Sequence, residues 1–167
     1  PCADVLYYYG DHVPNFAQHK RRDPAQVLPG YDYDVITEEA LLARAAVRDG
    51  LFVLPDGVTY RALALPARAV ISLPVLRKVR EWAEAGALIV GPVKPEQASG
   101  LNDAAAADSE VRRLAAELWG GGRILTNACV RDVLLARGVK PDVAFDAPAS
   151  ALADLDFIHR ADGAADI

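Results

Sequence analysis

Apolar residues along this chain recur with two alternating periods, one strand-like and one helical, and the switches between them mark out a layered α/β protein. The first run, Val5-Leu6-Tyr7-Tyr8-Tyr9, is aromatic or aliphatic throughout and predicts a buried strand, with Gly10 and Pro14 bracketing its exit. Residues 10–33 carry Pro14, Pro24, Pro29 and Gly30 and are expected to form one long loop, which in a compact domain marks a functional or packed segment. Thr37 then offers an N-cap, Glu38 and Glu39 suit the first turn of a helix, and that helix is expected to end near Gly50. Residues 51–54 and 59–65 predict strands joined across Pro55-Asp56-Gly57-Val58, a hairpin signal.

A short strand at 69–71 precedes the clearest helix of the chain. Ser72 is its N-cap, Pro74 lies in its first turn, Val75, Val79 and Trp82 share one face, and Gly86 closes it. Residues 87–91 are almost continuously apolar, as a strand covered on both faces requires. A helix over about 109–119 would bury Val111, Leu114, Ala115 and Leu118 before Gly120-Gly121-Gly122. A strand at 123–125, a helix at 128–137 with Gly138 as C-cap and a strand at 143–145 continue the alternation. Residues 157–160 are expected to begin another strand, and Ile167 its partner. The expected fold is one three-layer α/β domain over 1–167. Its sheet is mainly parallel, flavodoxin-like or class I glutamine-amidotransferase-like, with a β-hairpin insertion.

Composition narrows the class. A chain of 167 residues, 52% hydrophobic and 25% charged, can bury a continuous core. No apolar run approaches the roughly 20 residues that cross a bilayer, and the amino terminus lacks the order of a signal peptide. The formal charge of -5 comes without a basic stripe, and the dense run His19-Lys20-Arg21-Arg22 is followed at once by Asp23-Pro24, so neither nucleic acid nor membrane is an expected partner. The chain has no Met, and it stops at Ala164-Ala165-Asp166-Ile167 where an apolar segment starts, which predicts a segment of a larger protein. Cys2 and Cys129 are far apart, without Cys-x-x-Cys or ligand-spaced His, and indicate neither a disulfide framework nor a zinc site. Cys129 reads as an inert thiol among apolar neighbours, or as one whose pKa a helix start lowers.

In an open α/β sheet ligands meet the protein beyond the carboxyl ends of the strands, where Asp11, His12 and Asn15 fall. The duller alternative has Asp11 and Asn15 bonding the loop backbone and His12 lying on the surface. Gly120-Gly121-Gly122 follows a helix and precedes a strand, the wrong order for a phosphate cradle. The bend Gly91-Pro92-Val93 holds no Ser or Cys, which disfavours an amidotransferase-like nucleophile elbow. Asp11, Asp32, Asp34, Glu38 and Glu39 are the carboxylates available for acid and base work, and spacing alone pairs none of them. His159-Arg160 suits an anion or a structural ion pair.

Five blocks together carry a resemblance: residues 4–11, Pro29-Gly30-Tyr31-Asp32-Tyr33-Asp34-Val35-Ile36, residues 54–63, Leu73-Pro74-Val75-Leu76-Arg77-Lys78 and Phe157-Ile158-His159-Arg160. In order and spacing they resemble a segment of glycoside hydrolase family 106, the large α-L-rhamnosidases, expected after the catalytic barrel and before a β-sandwich. The segment is also similar in order to the amidotransferase-like domain of some β-galactosidases. The resemblance implies hydrolysis of terminal α-linked rhamnose by two carboxylates, with inversion and with calcium in the parent protein, both carboxylates lying in the barrel. It assigns no catalytic residue, metal or cofactor to this chain and suggests a periplasmic or extracellular parent. Its implied partners are the barrel and sandwich domains of the same chain and a carbohydrate, with Asp11, His12, Asn15, Tyr31 and Asp34 as candidate sugar-binding residues. Two other classes stand beside this one. One is an oligomerisation module of a β-galactosidase-like enzyme, and the other is a small amidotransferase-like enzyme that would need Cys129 as nucleophile.

Overall fold

The computed structural model describes residues 2–12, 14–100, 103–144, 157–162 and 165–166. Strand β1 (Val5–Tyr8) is buried along its whole length, and the loop after it contains one 3-10 turn at Lys20–Arg22. There follow β2 (Tyr33–Ile36), α1 (Glu38–Arg44), β3 (Ala46–Arg48), β4 (Leu51–Val53), β5 (Thr59–Tyr60), β6 (Ala62–Ala64) and β7 (Val70–Ile71). The later elements are α2 (Leu73–Glu84), β8 (Leu88–Val90), β9 (Gln97–Ala98), α3 (Ala104–Gly120), α4 (Val130–Ala136), β10 (Ala161–Asp162) and β11 (Ala165–Asp166).

The main sheet is parallel, in the order β2-β1-β6-β8, and a parallel bridge from Val90 to Leu125 extends it by one position. From β1 the chain steps outward to β2, then crosses back to add β6 and β8 on the other side of β1. The direction of winding therefore reverses between β1 and β6. Strands β3, β4 and β5 form a separate antiparallel sheet, turned by Gly57 at a φ of 89° that suits a residue without Cβ.

Because side chains alternate along a strand, the two faces of the sheet have different covers. Leu6, Tyr8, Leu63 and Ile89 face α1, α2 and α3, whose contribution includes Leu41, Val75, Val79, Trp82, Leu114 and Leu118. Each such side chain, fully buried, contributes about 1.5–3 kcal/mol, and Trp82 meets Phe52 edge to face with ring centroids 5.5 Å apart. On the other face Val5, Tyr7, Tyr33, Ala64 and Val90 meet α4 through Val130 and Leu134, and the long loop through Ala25, Val27 and Tyr31. That loop is held by specific bonds rather than by helical periodicity. Asp23, in the left-handed region at a φ of 43°, accepts from the Val27 and Leu28 amides at 2.9 Å each.

Several expectations change. The helix opened by Thr37 ends at Arg44, because Ala45 turns extended (ψ 131°) and the chain continues as β3 against β4. The expected strand 59–65 divides at Arg61, whose amide donates to Asp4 O, so its halves join different sheets. Strands β2 and β9 were not predicted, and β9 pairs in parallel with β7. The helix expected at 109–119 begins five residues earlier, at Ala104, and runs through Gly120. At 123–125 only the bridge at Leu125 forms, and the helix expected at 128–137 spans Val130–Ala136. Val143 and Ala144 are not in a strand, and Phe145 lies outside the described residues. Residues 157–160 are irregular, with the strand pair displaced to β10 and β11, and Ile167 lies outside the described residues.

Candidate functional site

Where the winding reverses, the carboxyl ends of β1 and β6 diverge and leave a crevice of about 370 Å³. Tyr7 and Tyr9 contribute one wall from the end of β1, and Pro66, Ala67 and Arg68 the other from the segment after β6. The long loop supplies the remainder, with His12, Asn15, Phe16 and Gln18 on its outward run and Arg22 and Gln26 on its return. Phe16 is 76% exposed, the most exposed large apolar side chain among the described residues. Asn15 Nδ2 donates to Gly10 O at 2.6 Å, while Asn15 Oδ1 and His12 Nδ1 are enclosed without a partner among the described residues. Leaving such an atom unpaired costs about 1–3 kcal/mol, so this turn holds hydrogen-bonding capacity that the described residues do not use. The rest of the site offers flat ring surface, amides and guanidinium groups.

Asp23 also lines the crevice, but its two oxygens are taken by backbone amides. Arg68 lies close enough to act on the Tyr7 hydroxyl, whose pKa burial raises and the Arg68 charge partly lowers. Beside the crevice, on the helix-covered face, Glu38 forms a tie. It accepts from Tyr8 OH at 3.1 Å and from Ser72 Oγ at 2.6 Å. Burial and the Glu38 carboxylate raise the Tyr8 pKa strongly. Ser72 occupies the N-cap position expected of it, yet spends its hydroxyl on Glu38 and makes no side-chain cap bond. The carboxylate instead stands at the amino ends of both α1 and α2, where a negative charge is favoured.

The sequence-derived candidates separate into two groups. His12 and Asn15 line the crevice, and Asp11 lies beside them, exposed. Tyr31 and Asp34 are elsewhere. Tyr31 is fully buried, with its hydroxyl donating to Val139 O at 2.7 Å. Asp34 sits within β2 and accepts from Tyr60 OH at 2.9 Å. Tyr9, Phe16, Arg22 and Arg68 were not singled out from sequence. Arg22 sat in a basic run and Arg68 in an unremarkable Pro-Ala-Arg segment, so only the fold brings them together.

The bend after β8 shows why no nucleophile stands there. A Cβ on Gly91 would lie 2.7 Å from Trp119 Cζ2, and Trp119 Nε1 donates to Gly91 O at 2.9 Å. The indole fills the place of an elbow. Cys129 is half-buried at the N-cap of α4, with Sγ 3.1 Å from Gln26 O. No group of three or more metal-ligating side chains occurs among the described residues.

At the opposite, amino edge of the sheet, charges are paired. Arg61 Nε contacts Asp4 Oδ1 at 2.8 Å, His159 Nδ1 contacts Asp142 Oδ1 at 2.8 Å, and Lys20 contacts Asp32 at 3.1 Å. The first two pairs border a cavity of about 480 Å³. Burial is the largest influence on Asp4 and raises its pKa, with Arg61 opposing.

The fold is a parallel α/β sheet with a crevice at its winding reversal. Residues 1–167 match the sequence profile of glycoside hydrolase family 106, described as alpha-L-rhamnosidase, and the chain belongs to that family. A rhamnosidase structure from Novosphingobium sp. PP1Y superposes with a TM-score of 0.78 at 29% identity, covering 99% of this chain and 16% of its own. A Formosa agariphila protein assigned as a beta-glucuronidase is 32% identical over 170 residues, covering 99% of this chain and 14% of itself. The chain thus spans about one-seventh of the length of these much longer relatives and is a segment of a rhamnosidase-like glycoside hydrolase.

Proposed function

We propose that this chain is the non-catalytic α/β domain of an α-L-rhamnoside hydrolase, and that its β1/β6 crevice forms one wall of the enzyme's sugar pocket. Its partners are the catalytic barrel and β-sandwich of the same polypeptide, and any calcium belongs to those parts. The carrying observation is the position of the crevice at the winding reversal, where open α/β sheets bind ligands. Its surface suits a sugar: CH groups stack on Tyr9 and Phe16, and hydroxyls find acceptors and donors in Asn15, Gln18 and His12. The strand order, read through the parallel strands alone, supports a single flavodoxin-like domain.

The chain's residues would orient and desolvate the sugar while the carboxylates that break the glycosidic bond come from the barrel. The test is release of p-nitrophenol from p-nitrophenyl α-L-rhamnoside by the full-length protein and by residues 1–167, side by side. Activity in the full-length protein alone is expected. Activity in residues 1–167 by themselves would refute a non-catalytic role.

A further inference from the structure

The part of the long loop that borders the crevice is exposed almost throughout. Of residues 16–22 only Lys20 is not exposed, and while Gln18 and Arg22 on either side of it line the crevice, Lys20 does not. It reaches instead to two distant segments. Its Nζ donates to Phe157 O at 2.6 Å and lies 4.5 Å from the centre of the Phe157 ring. The same Nζ contacts Asp32 Oδ2, just before β2, at 3.1 Å. A carbonyl, a carboxylate and a ring face around one ammonium make a directional hold, and the Lys20 and Asp32 side chains are only 24% and 16% exposed. The segment that Lys20 grips is itself fixed, since Cys2 N donates to His159 O at 2.9 Å and His159 Nδ1 contacts Asp142 Oδ1 at 2.8 Å.

From Lys20 the hold passes into the crevice wall through one turn of backbone, the 3-10 turn Lys20–Arg22. Lys20 O accepts from Asp23 N at 2.9 Å, and the Asp23 carboxylate accepts from the Val27 and Leu28 amides. Arg22, Asp23 and Gln26 all line the crevice.

We propose that Lys20 is a positioning residue for the sugar pocket: by clamping the loop to Phe157 and Asp32 it holds the crevice-lining run from Gln18 to Gln26 in its sugar-binding geometry. The inference rests on the crevice being part of the sugar pocket, and it adds the group that fixes this wall. Lys20 itself touches no sugar.

The test uses the full-length enzyme and three variants. Lys20→Met keeps an unbranched stem without the charge, Lys20→Arg restores the charge, and Arg61→Ala removes an exposed ion pair from the same edge of the sheet. Two quantities are read, well below the Tm of every variant: hydrogen exchange by mass spectrometry over residues 21–28, where the Asp23, Val27 and Leu28 amides are bonded, and KM and kcat for p-nitrophenyl α-L-rhamnoside. In Lys20→Met, exchange over 21–28 is expected to quicken by about tenfold or more as the loop opens locally. KM should rise about fivefold, the scale of one lost hydrogen bond, with kcat little changed. Lys20→Arg should return KM to within about twofold of wild type, and Arg61→Ala should move neither quantity. A role confined to stability would lower Tm and leave KM where it is. Unchanged exchange in Lys20→Met, a rise in KM that Lys20→Arg does not reverse, or an equal rise in Arg61→Ala would overturn the proposal. So would faster exchange with an unchanged KM, when replacing Tyr9 and Asn15 does raise KM. If neither replacement moves KM, the crevice reading is what fails, and the positioning role falls with it.

Discussion

The two edges of the central sheet treat charge in opposite ways. At the amino edge Asp4, Arg61, Asp142 and His159 are paired at contact distance. At the carboxyl edge Arg22 and Arg68 line a crevice whose one carboxylate is committed to backbone amides. A buried or half-buried charge is costly unless matched, so the amino edge is organised for stability. At the carboxyl edge Arg22 and Arg68 are exposed, and water screens them without a carboxylate partner among the described residues. Asp23 and, set back on the helix-covered face, Glu38 are structural carboxylates there, Asp23 holding the Val27 and Leu28 amides and Glu38 the Tyr8 and Ser72 hydroxyls.

That division orders the expected effects. The largest is for Glu38→Ala, which strands the fully buried Tyr8 hydroxyl and the buried Ser72 hydroxyl. A loss of about 2–4 kcal/mol is expected from two orphaned groups, read by chemical denaturation. A loss below about 0.5 kcal/mol would mean that Glu38 ties nothing.

Alkali should reach the buried tyrosines next. Five of the six tyrosines have raised pKa values, chiefly through burial, with Tyr33 pushed up to about 12. Tyrosines of the unfolded chain ionise near pH 10. The protonated, folded forms therefore contribute stability that is complete below pH 10 and lost as pH rises from 10 toward 12 and beyond. Absorbance of tyrosinate followed together with circular dichroism should show ionisation and unfolding in one step. Separate steps would place these hydroxyls in solvent.

At the amino edge Arg61→Ala should cost about 1 kcal/mol or less, since Arg61 is itself exposed. Its signature lies in pH. The raised Asp4 pKa means that Asp4's contribution is complete below the unfolded-state pKa of 3.8 and declines as pH rises through the folded-state value. Removing the guanidinium that opposes the shift should move that decline to higher pH. An unchanged Tm against pH curve would show that Arg61 does not act on Asp4. The smallest effect is for Arg68→Gln at the carboxyl edge, with stability within about 0.5 kcal/mol of wild type. A larger loss would mean that Arg68 is structural and the contrast between the edges is false.

The helix-covered face was readable in the sequence because apolar periodicity alone builds it, as Val75, Val79 and Trp82 show. The hairpin announced itself through Pro55-Asp56-Gly57-Val58 in the same way. Strand β2 stayed hidden because Asp34 interrupts its apolar run, and that carboxylate is accommodated only by a distant partner, Tyr60. The end of α1 was missed because Ala45 leaves the helix without a Gly or Pro. His12 and Asn15 could be placed by the rule about strand ends. Arg22 and Arg68 could not, since they come from segments far apart in the chain that meet only after β6 is laid beside β1.

The central claim is that the β1/β6 crevice holds sugar, and steady-state kinetics of the full-length enzyme with the Tyr9→Ala/Asn15→Ala double variant test it most directly. Loss of one stacking face and one amide should raise KM for p-nitrophenyl α-L-rhamnoside by about tenfold or more, with kcat changing much less, because uniform binding is removed while the bond-breaking groups stay in place. An unchanged KM, or a loss confined to kcat, would contradict the account.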